Sequence, residues 1–285
     1  MSRQLTDFPG LELSAPIKVV FFDIDGTLLD KDGRYSPMLQ AQIARVRKKG
    51  IRTAVASGRP IFAAQYLVEQ LGLCDPGVFC TGAYVYSPAE QRLLLSSPLP
   101  RVHCLSLIKR LRELDVYYEL YTEQHFYFET DTAAHIRAVH GHHLRQQPIR
   151  ADLEQVALSE PVFKFIIGVD QTADRQLFHT FEIEFPELQF AYANLPGYPQ
   201  WCFANVIDQS ACKRDAFEYL LDHYQVAPEN VASFGDSHSD KVFLELAGVG
   251  VAMGNACPDV KAVARFTTKA AWEDGVAYAL ERLIP

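Results

Sequence analysis

Apolar and amphipathic segments alternate along the first eighty residues, and this alternation predicts an α/β fold. Residues 17–22 form an apolar run with the β-branched and aromatic content of a buried strand. The series continues as a helix from Pro37 to Gly50, a strand at 51–56, a helix at 60–71 and a short strand at 78–80. Such a βαβαβ series implies a parallel sheet with helices on both faces.

The pattern changes near residue 84, where apolar segments come in pairs separated by short polar turns. Predicted strands lie at 84–86, 93–95, 116–121, 126–128, 162–169, 188–193 and 201–207. Predicted helices lie at 102–114 and near 132–140 and 173–184. We therefore expect an α+β insert that contains an antiparallel sheet.

The strand–helix alternation returns after Asp208. A helix is predicted at 213–224, a strand at 231–234, a helix ending at 247, a strand at 249–252 and a helix at 275–283. One domain, 1–84 with 208–285, is therefore predicted to be split around a second domain, 85–207.

Composition narrows the possible partners and compartment. The 285 residues are 48% hydrophobic and 22% charged, and the net charge of −8 gives no general reason to bind nucleic acid. No apolar stretch is long enough to span a membrane, and the first ten residues lack the apolar core of a signal peptide. The six cysteines form no CxxC pair, so we expect reduced, mostly buried thiols in a cytoplasmic protein.

Polar residues cluster where predicted strands of the split domain end or its helices begin. The clusters are Asp23 with Asp25, Ser57 with Gly58, Lys213, and Asp236 with Asp240. Ligands of open parallel sheets bind at the carboxyl ends of the strands. Neighbouring buried carboxylates are costly unless a cation compensates their charge. These positions are therefore candidates for one shared site.

The residue types in these clusters suit phosphoryl transfer. One carboxylate can attack phosphorus, and a second can move protons to and from oxygen. A hydroxyl and backbone N–H groups at a helix start can hold phosphate oxygens, and a lysine adds fixed positive charge. An oxygen-rich group of carboxylates suits Mg²⁺. Each cluster also has a simpler interpretation, such as a solvated turn, a helix cap or a surface lysine.

Four motifs in this order resemble those of the haloacid-dehalogenase-like hydrolases. They are Asp-Ile-Asp-Gly-Thr-Leu at 23–28, Ser-Gly-Arg at 57–59, Lys213, and Gly-Asp-Ser-His-Ser-Asp at 235–240. The insert and the segment Ala-Met-Gly-Asn-Ala at 252–256 are similar to the Cof-type sugar-phosphatase branch. The resemblance implies a Rossmann-like core with an inserted α+β cap that sets specificity.

The resemblance also implies a role for each matching position. Asp23 would be the nucleophile and a Mg²⁺ ligand, and Asp25 the general acid and base whose backbone carbonyl also reaches the metal. Asp236 would be a metal ligand, and Asp240 a ligand or a partner of the ligands. The groups expected to bind the phosphoryl group are Ser57, Gly58, Lys213 and Ser239.

The expected activity is a Mg²⁺-dependent phosphatase for small phosphorylated metabolites, such as sugar phosphates or a phosphorylated cofactor like pyridoxal phosphate. The expected protein is a monomer or homodimer. Ser239 and Thr81 stand where Cof-type proteins usually carry Asn, so the details of phosphate contact stay open. The alternatives are a phosphomutase with the same chemistry, a catalytically silent phospho-ligand sensor and a receiver domain.

Three histidines in the insert also invite a metal interpretation. His140, His142 and His143 lie close together in a polar stretch without a partner motif. We interpret them as surface histidines rather than zinc ligands.

Overall fold

The computed structural model describes residues 3–4, 13–170, 176–194 and 198–285. Residues 173–175 of the helix predicted near 173–184, and most of the first ten residues, lie outside these ranges. The described strands are β1 Arg3–Gln4, β2 Val19–Phe22, β3 Arg52–Val55, β4 Gly77–Phe79, β5 Tyr84–Ser87, β6 Arg92–Ser96, β7 Tyr117–Tyr121, β8 Phe126–Phe128, β9 Ile149–Arg150, β10 Lys164–Asp170, β11 Leu188–Asn194, β12 Trp201–Asp208, β13 Val231–Gly235, β14 Val249–Ala252 and β15 Phe266–Thr267.

The described α-helices are α1 Pro37–Lys48, α2 Ile61–Leu71, α3 Arg101–Leu114, α4 Ala134–Leu144, α5 Leu153–Ser159, α6 Gln176–Glu184, α7 Lys213–Tyr224, α8 Lys241–Leu246, α9 Pro258–Val263 and α10 Gly275–Leu283. None of these helices is long and apolar enough to cross a bilayer. All six cysteines are free, but only Cys80 and Cys104 are buried, so the prediction of mostly buried thiols is wrong.

The chain divides into two compact units. Unit 1 comprises Met1–Gly58, Gln65–Leu95 and Lys213–Pro285, and unit 2 comprises Arg59–Ala64 and Ser96–Cys212. The predicted domain boundaries at 84/85 and 207/208 stay a prediction.

A parallel sheet forms the centre of unit 1, as the strand–helix alternation predicts. Its order is β1-β15-β14-β13-β2-β3, and every neighbouring pair is parallel. Phe21 of β2 packs with Phe217 of α7 and Phe243 of α8, which cover one face. Helix α1 packs beside α10. Successive strand residues point to opposite faces, and all four residues of β2 are buried, which explains its unbroken apolar sequence.

The third predicted parallel strand differs from expectation. Strand β4 pairs antiparallel with β5 in a three-stranded sheet, β4-β5-β6. Its link to the parallel series is a single bridge between Ala56 and Val78. The physical reason lies after β4, where Cys80 and Thr81 take positive φ angles of 47° and 61° and turn the chain back into β5.

Unit 2 contains the predicted antiparallel sheet. Its order is β11-β12-β10-β7-β8-β9, and all pairs are antiparallel except β8 with β9. A core of buried residues that includes Leu107 of α3, Leu153 of α5 and Phe181 of α6 joins these helices to the sheet. The opposite face carries Glu119, which accepts hydrogen bonds from Tyr117 and from Tyr121 at 2.6 Å.

One of the three histidines corrects the interpretation made from sequence. His140 on α4 is buried, and its Nδ1 lies 3.1 Å from Oε2 of Glu119. Helix α4 packs its His140 side against the sheet face that carries Glu119, Tyr117 and Phe203, a pairing that the sequence around His140 does not reveal. His140 therefore belongs to the interior of unit 2 rather than to its surface.

Candidate active site

The parallel sheet of unit 1 positions the first carboxylate. Phe22, the last residue of β2, pairs with Phe234 of β13, and the N–H of Asp23 donates to the Phe234 carbonyl at 3.0 Å. Asp23 directly follows β2, and Asp236 directly follows the neighbouring strand β13. Both residues therefore lie at the same edge of the sheet. Asp23 is buried, with only 7% of the residue exposed.

The turn after Asp23 is built around Gly26. Gly26 has φ +79°, and a Cβ there would lie 2.7 Å from Cγ of Asp236. The next side chain, Thr27, is buried and donates from its hydroxyl to Oδ1 of Asp236 at 3.4 Å. Asp25 is exposed within the same turn. This packing explains the glycine of the motif, since only a residue without a side chain lets the turn approach the Asp236 carboxylate.

Three carboxylates meet at this edge of the sheet. Oxygen atoms of Asp23, Asp236 and Asp240 all lie within 4.8 Å of one another. Burial raises the pKa of Asp236 to about 7, and the neighbouring charge of Asp240 adds to this effect. Burial and the Asp240 charge likewise raise the pKa of Asp23, and the nearby Lys213 opposes them only in part. Such excess negative charge fits a divalent cation with oxygen ligands.

Asp240 differs from the other two carboxylates because both of its oxygens already have donors. Oδ2 accepts from the N–H of Asp236 at 3.2 Å and from the N–H and hydroxyl of Ser237 at 3.0 and 2.8 Å. Oδ1 lies 3.1 Å from Nζ of Lys213, and both side chains are nearly fully buried. Asp240 thus fixes the loop that carries Asp236 and holds Lys213 in place.

Ser239 lies beside the lysine. Its hydroxyl is 3.4 Å from Nζ of Lys213 and 2.9 Å from Oγ of Ser237. The structure therefore brings Asp23, Asp236, Asp240, Lys213 and Ser239 into one cluster.

Ser57 and Gly58 follow β3, the strand next to β2. The N–H of Ala56 donates to the carbonyl of Phe22 at 2.8 Å, so both strands end at the same edge. Ser57 is buried, and its carbonyl accepts from the N–H of Thr81 at 3.2 Å. A Cβ at Gly58 would lie 3.3 Å from the Thr81 hydroxyl. The positive φ of Thr81 brings this hydroxyl close to the Ser57–Gly58 peptide.

Asn255 is a member of the site to which the sequence assigned no role. Its amide donates to the carbonyl of Gly26 at 2.9 Å and to Oδ2 of Asp236 at 3.1 Å. Its Oδ1 accepts from the N–H of Ala271 at 3.0 Å. The signal in the sequence was the segment 252–256, which carried the family resemblance but no chemical function.

A family model for haloacid dehalogenase-like hydrolases matches residues 20–280. The chain belongs to the haloacid dehalogenase-like hydrolases. This match confirms the family that the four motifs predicted.

Curated relatives align over nearly the whole chain. The pyridoxal phosphate phosphatase YbhA of Escherichia coli is 28% identical over 270 residues, which is 91% of this chain and 96% of that protein. The 5-amino-6-(5-phospho-D-ribitylamino)uracil phosphatase YitU of Bacillus subtilis is 27% identical over 275 residues, covering 92% and 96%. These relatives support the predicted enzyme class, a phosphatase.

The fold agrees with that of a solved relative. A haloacid dehalogenase-like hydrolase from Bacteroides thetaiotaomicron superposes with a TM-score of 0.84 at 23% identity, covering 94% of this chain and 100% of that one. This likeness confirms the α/β fold with an α+β insert.

Proposed function

We propose that this hydrolase is a Mg²⁺-dependent phosphatase that acts on small phosphomonoesters through a phosphorylated Asp23. The observation that carries the proposal is the meeting of Asp23, Asp236 and Asp240 within 4.8 Å beside the buried Lys213. A buried carboxylate at a strand end, flanked by a fixed cation and a candidate metal site, has the surroundings of a nucleophile toward phosphorus.

In the first step, an oxygen of Asp23 forms a bond to phosphorus while the bond from phosphorus to the alcohol oxygen breaks. The carboxyl group of Asp25 gives its proton to that oxygen, so a neutral alcohol leaves. Asp25 is placed for this part because it stands two residues from Asp23 in the Gly26 turn, where a bound substrate can reach its carboxyl group.

In the second step, water replaces the alcohol. Asp25, now a carboxylate, takes a proton from the water while the water oxygen forms a bond to phosphorus. The bond between phosphorus and Asp23 breaks, which returns the Asp23 carboxylate and releases inorganic phosphate. The same pair of aspartates therefore completes the cycle without a net change.

The residues that would hold Mg²⁺ are Asp23, Asp236 and the backbone carbonyl of Asp25. The ion supplies charge compensation for the crowded carboxylates and for the phosphoryl oxygens. Because both oxygens of Asp240 are engaged by Lys213 and by the 236–237 loop, we assign Asp240 to positioning rather than to direct ligation.

Four groups would hold the transferring phosphoryl group. Lys213 carries the positive charge, and its ammonium is oriented by Asp240 and Ser239. Ser57 and the N–H of Gly58 stand at the end of β3, one strand from the nucleophile. Ser239 offers a hydroxyl in place of the longer amide that the family usually carries.

The proposed substrates are small phosphorylated metabolites. The relatives named above act on a phosphorylated cofactor and on a ribityl phosphate, and their names support this class rather than a particular compound.

A panel of phosphorylated metabolites, assayed with and without Mg²⁺, tests the proposal. The readouts are phosphate release, kcat/KM and isomerisation of the sugar phosphates. We expect Mg²⁺-dependent phosphate release from some members of the panel. Isomerisation without phosphate release would indicate a phosphomutase instead, and tight phosphate binding without turnover would indicate a sensor.

A further inference from the structure

Asn255 makes three hydrogen bonds that join separate parts of unit 1. Its amide nitrogen donates to the Gly26 carbonyl at 2.9 Å and to Oδ2 of Asp236 at 3.1 Å. Its amide oxygen accepts from the N–H of Ala271 at 3.0 Å. The two N–H groups of the amide therefore point toward Gly26 and Asp236, and the amide oxygen points away from them toward Ala271.

Tight packing fixes the backbone of the two residues that precede Asn255. The N–H of Met253 donates to the Gly235 carbonyl at 3.0 Å, and that of Gly254 donates to the Lys269 carbonyl at 2.9 Å. A Cβ on Gly254 would lie 2.6 Å from the Ala270 nitrogen, so the two segments touch. Asn255 therefore projects from a fixed point.

The bond to Ala271 fixes the rotation of the amide. An amide group can turn over and exchange its donor and acceptor ends unless its partners forbid it. The N–H of Ala271 can only donate, so it requires the oxygen at that end. The –NH₂ group must then face Asp236 and Gly26.

We propose that Asn255 is a positioning residue that sets the affinity of this site for Mg²⁺. This inference rests on the metal site of the proposed function. The amide donates to Oδ2 of Asp236 at 3.1 Å, whereas Oδ1 accepts only the longer bond of 3.4 Å from the Thr27 hydroxyl. The amide also donates to the Gly26 carbonyl, which lies one residue after the Asp25 carbonyl that is assigned to the metal. Partners of metal ligands commonly change metal affinity by about 10- to 100-fold when removed.

Direct measurement of Mg²⁺ binding by titration calorimetry tests the inference without any substrate. We expect Asn255→Ala to weaken Mg²⁺ binding by about tenfold or more. The matched control is Asn230→Ala, because Asn230, just before β13, donates one hydrogen bond of 2.8 Å to the Pro16 carbonyl, at the other end of the strand from Asp236. The control should bind Mg²⁺ like the wild type, and a cooperative melting transition in EDTA shows that each variant is folded.

A second variant serves if Asn255→Ala does not fold. Ala271→Pro replaces the N–H that orients the amide with a ring carbon that cannot donate and that crowds the Asn255 oxygen, at the first position of the short turn 271–273, where proline suits the backbone. It should also weaken Mg²⁺ binding, though less. Unchanged affinity in a folded Asn255→Ala, or in Ala271→Pro when only that variant folds, would overturn the inference. Absence of Mg²⁺ binding by the wild type would instead refute the proposed function itself.

Discussion

The ammonium of Lys213 lies 3.1 Å from Oδ1 of Asp240, and the two side chains are only 6% and 2% exposed. The pair joins the start of α7 to the loop after β13. A buried charge pair contributes little net stability, but removal of one partner leaves the other charge buried and uncompensated.

The first prediction follows from this pair. Lys213→Met should lower the free energy of unfolding by about 3–5 kcal/mol, because it leaves Asp240 buried without its cation. Asp240→Asn should lower it less, because it also removes the repulsion of Asp23 and Asp236, and the double variant should lose less than the sum. Urea unfolding measures these values. The exposed pair of Arg92 and Glu90 is the control, and its loss should cost about 1 kcal/mol or less. Additive losses at Lys213 and Asp240 would contradict the assigned coupling.

Two glycines of one loop provide the second prediction. Gly26 and Gly33 have φ angles of +79° and +72°, but only Gly26 would place a Cβ against the Asp236 carboxylate, and Gly33 faces open space. Gly33→Ala should cost about 1 kcal/mol from backbone strain alone. Gly26→Ala should cost more and should also weaken Mg²⁺ binding, as measured by calorimetry. Equal Mg²⁺ affinity in the two variants would contradict the close packing of Gly26 on Asp236.

The carboxylate cluster predicts an unusual dependence of stability on pH. Burial raises the pKa of Asp236 from 3.8 to about 7, and it raises the pKa of Asp23 as well. The folded protein therefore binds protons at these groups more tightly than the unfolded chain does. Their contribution to the free energy of unfolding is most favourable below the pKa of the unfolded chain, and it is lost as the pH rises toward 7. In EDTA, Asp236→Asn should flatten the fall in melting temperature between about pH 4 and pH 7.

Magnesium should reverse this trend. The ion binds the deprotonated carboxylates, so the rise in melting temperature that Mg²⁺ produces should be larger at about pH 8 than at about pH 5. Calorimetry in buffers of different ionisation enthalpy should show proton release on binding near neutral pH. A rise in melting temperature that is the same at both pH values would contradict the raised pKa values.

The sequence predicted the parts of the fold that have a strong local pattern. Strand β2 and helix α1 were predictable because an unbroken apolar run is typical of a strand buried on both faces, and Ser36 with Pro37 is a strong helix start. The short elements β9, α5, α9 and β15 were missed, because their two to seven residues offer too little periodicity. The pairing of β4 with β5 was also missed, because it depends on the left-handed turn at Cys80 and Thr81.

The candidate site was predictable to a similar extent. Strand ends were enough to gather Asp23 and Asp236, since parallel strands end at one edge, and the order of the motifs added Asp240 and Lys213. The engagement of both Asp240 oxygens and the bridge formed by Asn255 depend on side-chain directions across segments far apart in the chain. Such directions leave no local pattern in a single sequence.

A further prediction concerns the nucleophile. Asp23→Asn keeps the size of the side chain but removes the attacking oxygen, so kcat should fall by on the order of 10⁴-fold or more. Stability in EDTA should be unchanged or higher, because one buried negative charge is gone. The exposed Asp32 offers the matched control, and Asp32→Asn should retain full activity. Substantial Mg²⁺-dependent turnover by Asp23→Asn would refute the assignment.

The most direct measurement is to trap the covalent intermediate. The wild-type enzyme, turning over an aryl phosphate with Mg²⁺, is quenched in acid and treated with borohydride, which reduces an acyl phosphate to an alcohol. Mass spectrometry then locates the modified residue. We expect homoserine at position 23, with none in EDTA or in Asp23→Asn. Rapid phosphate release with an unmodified Asp23, or with the modification on another residue, would contradict it.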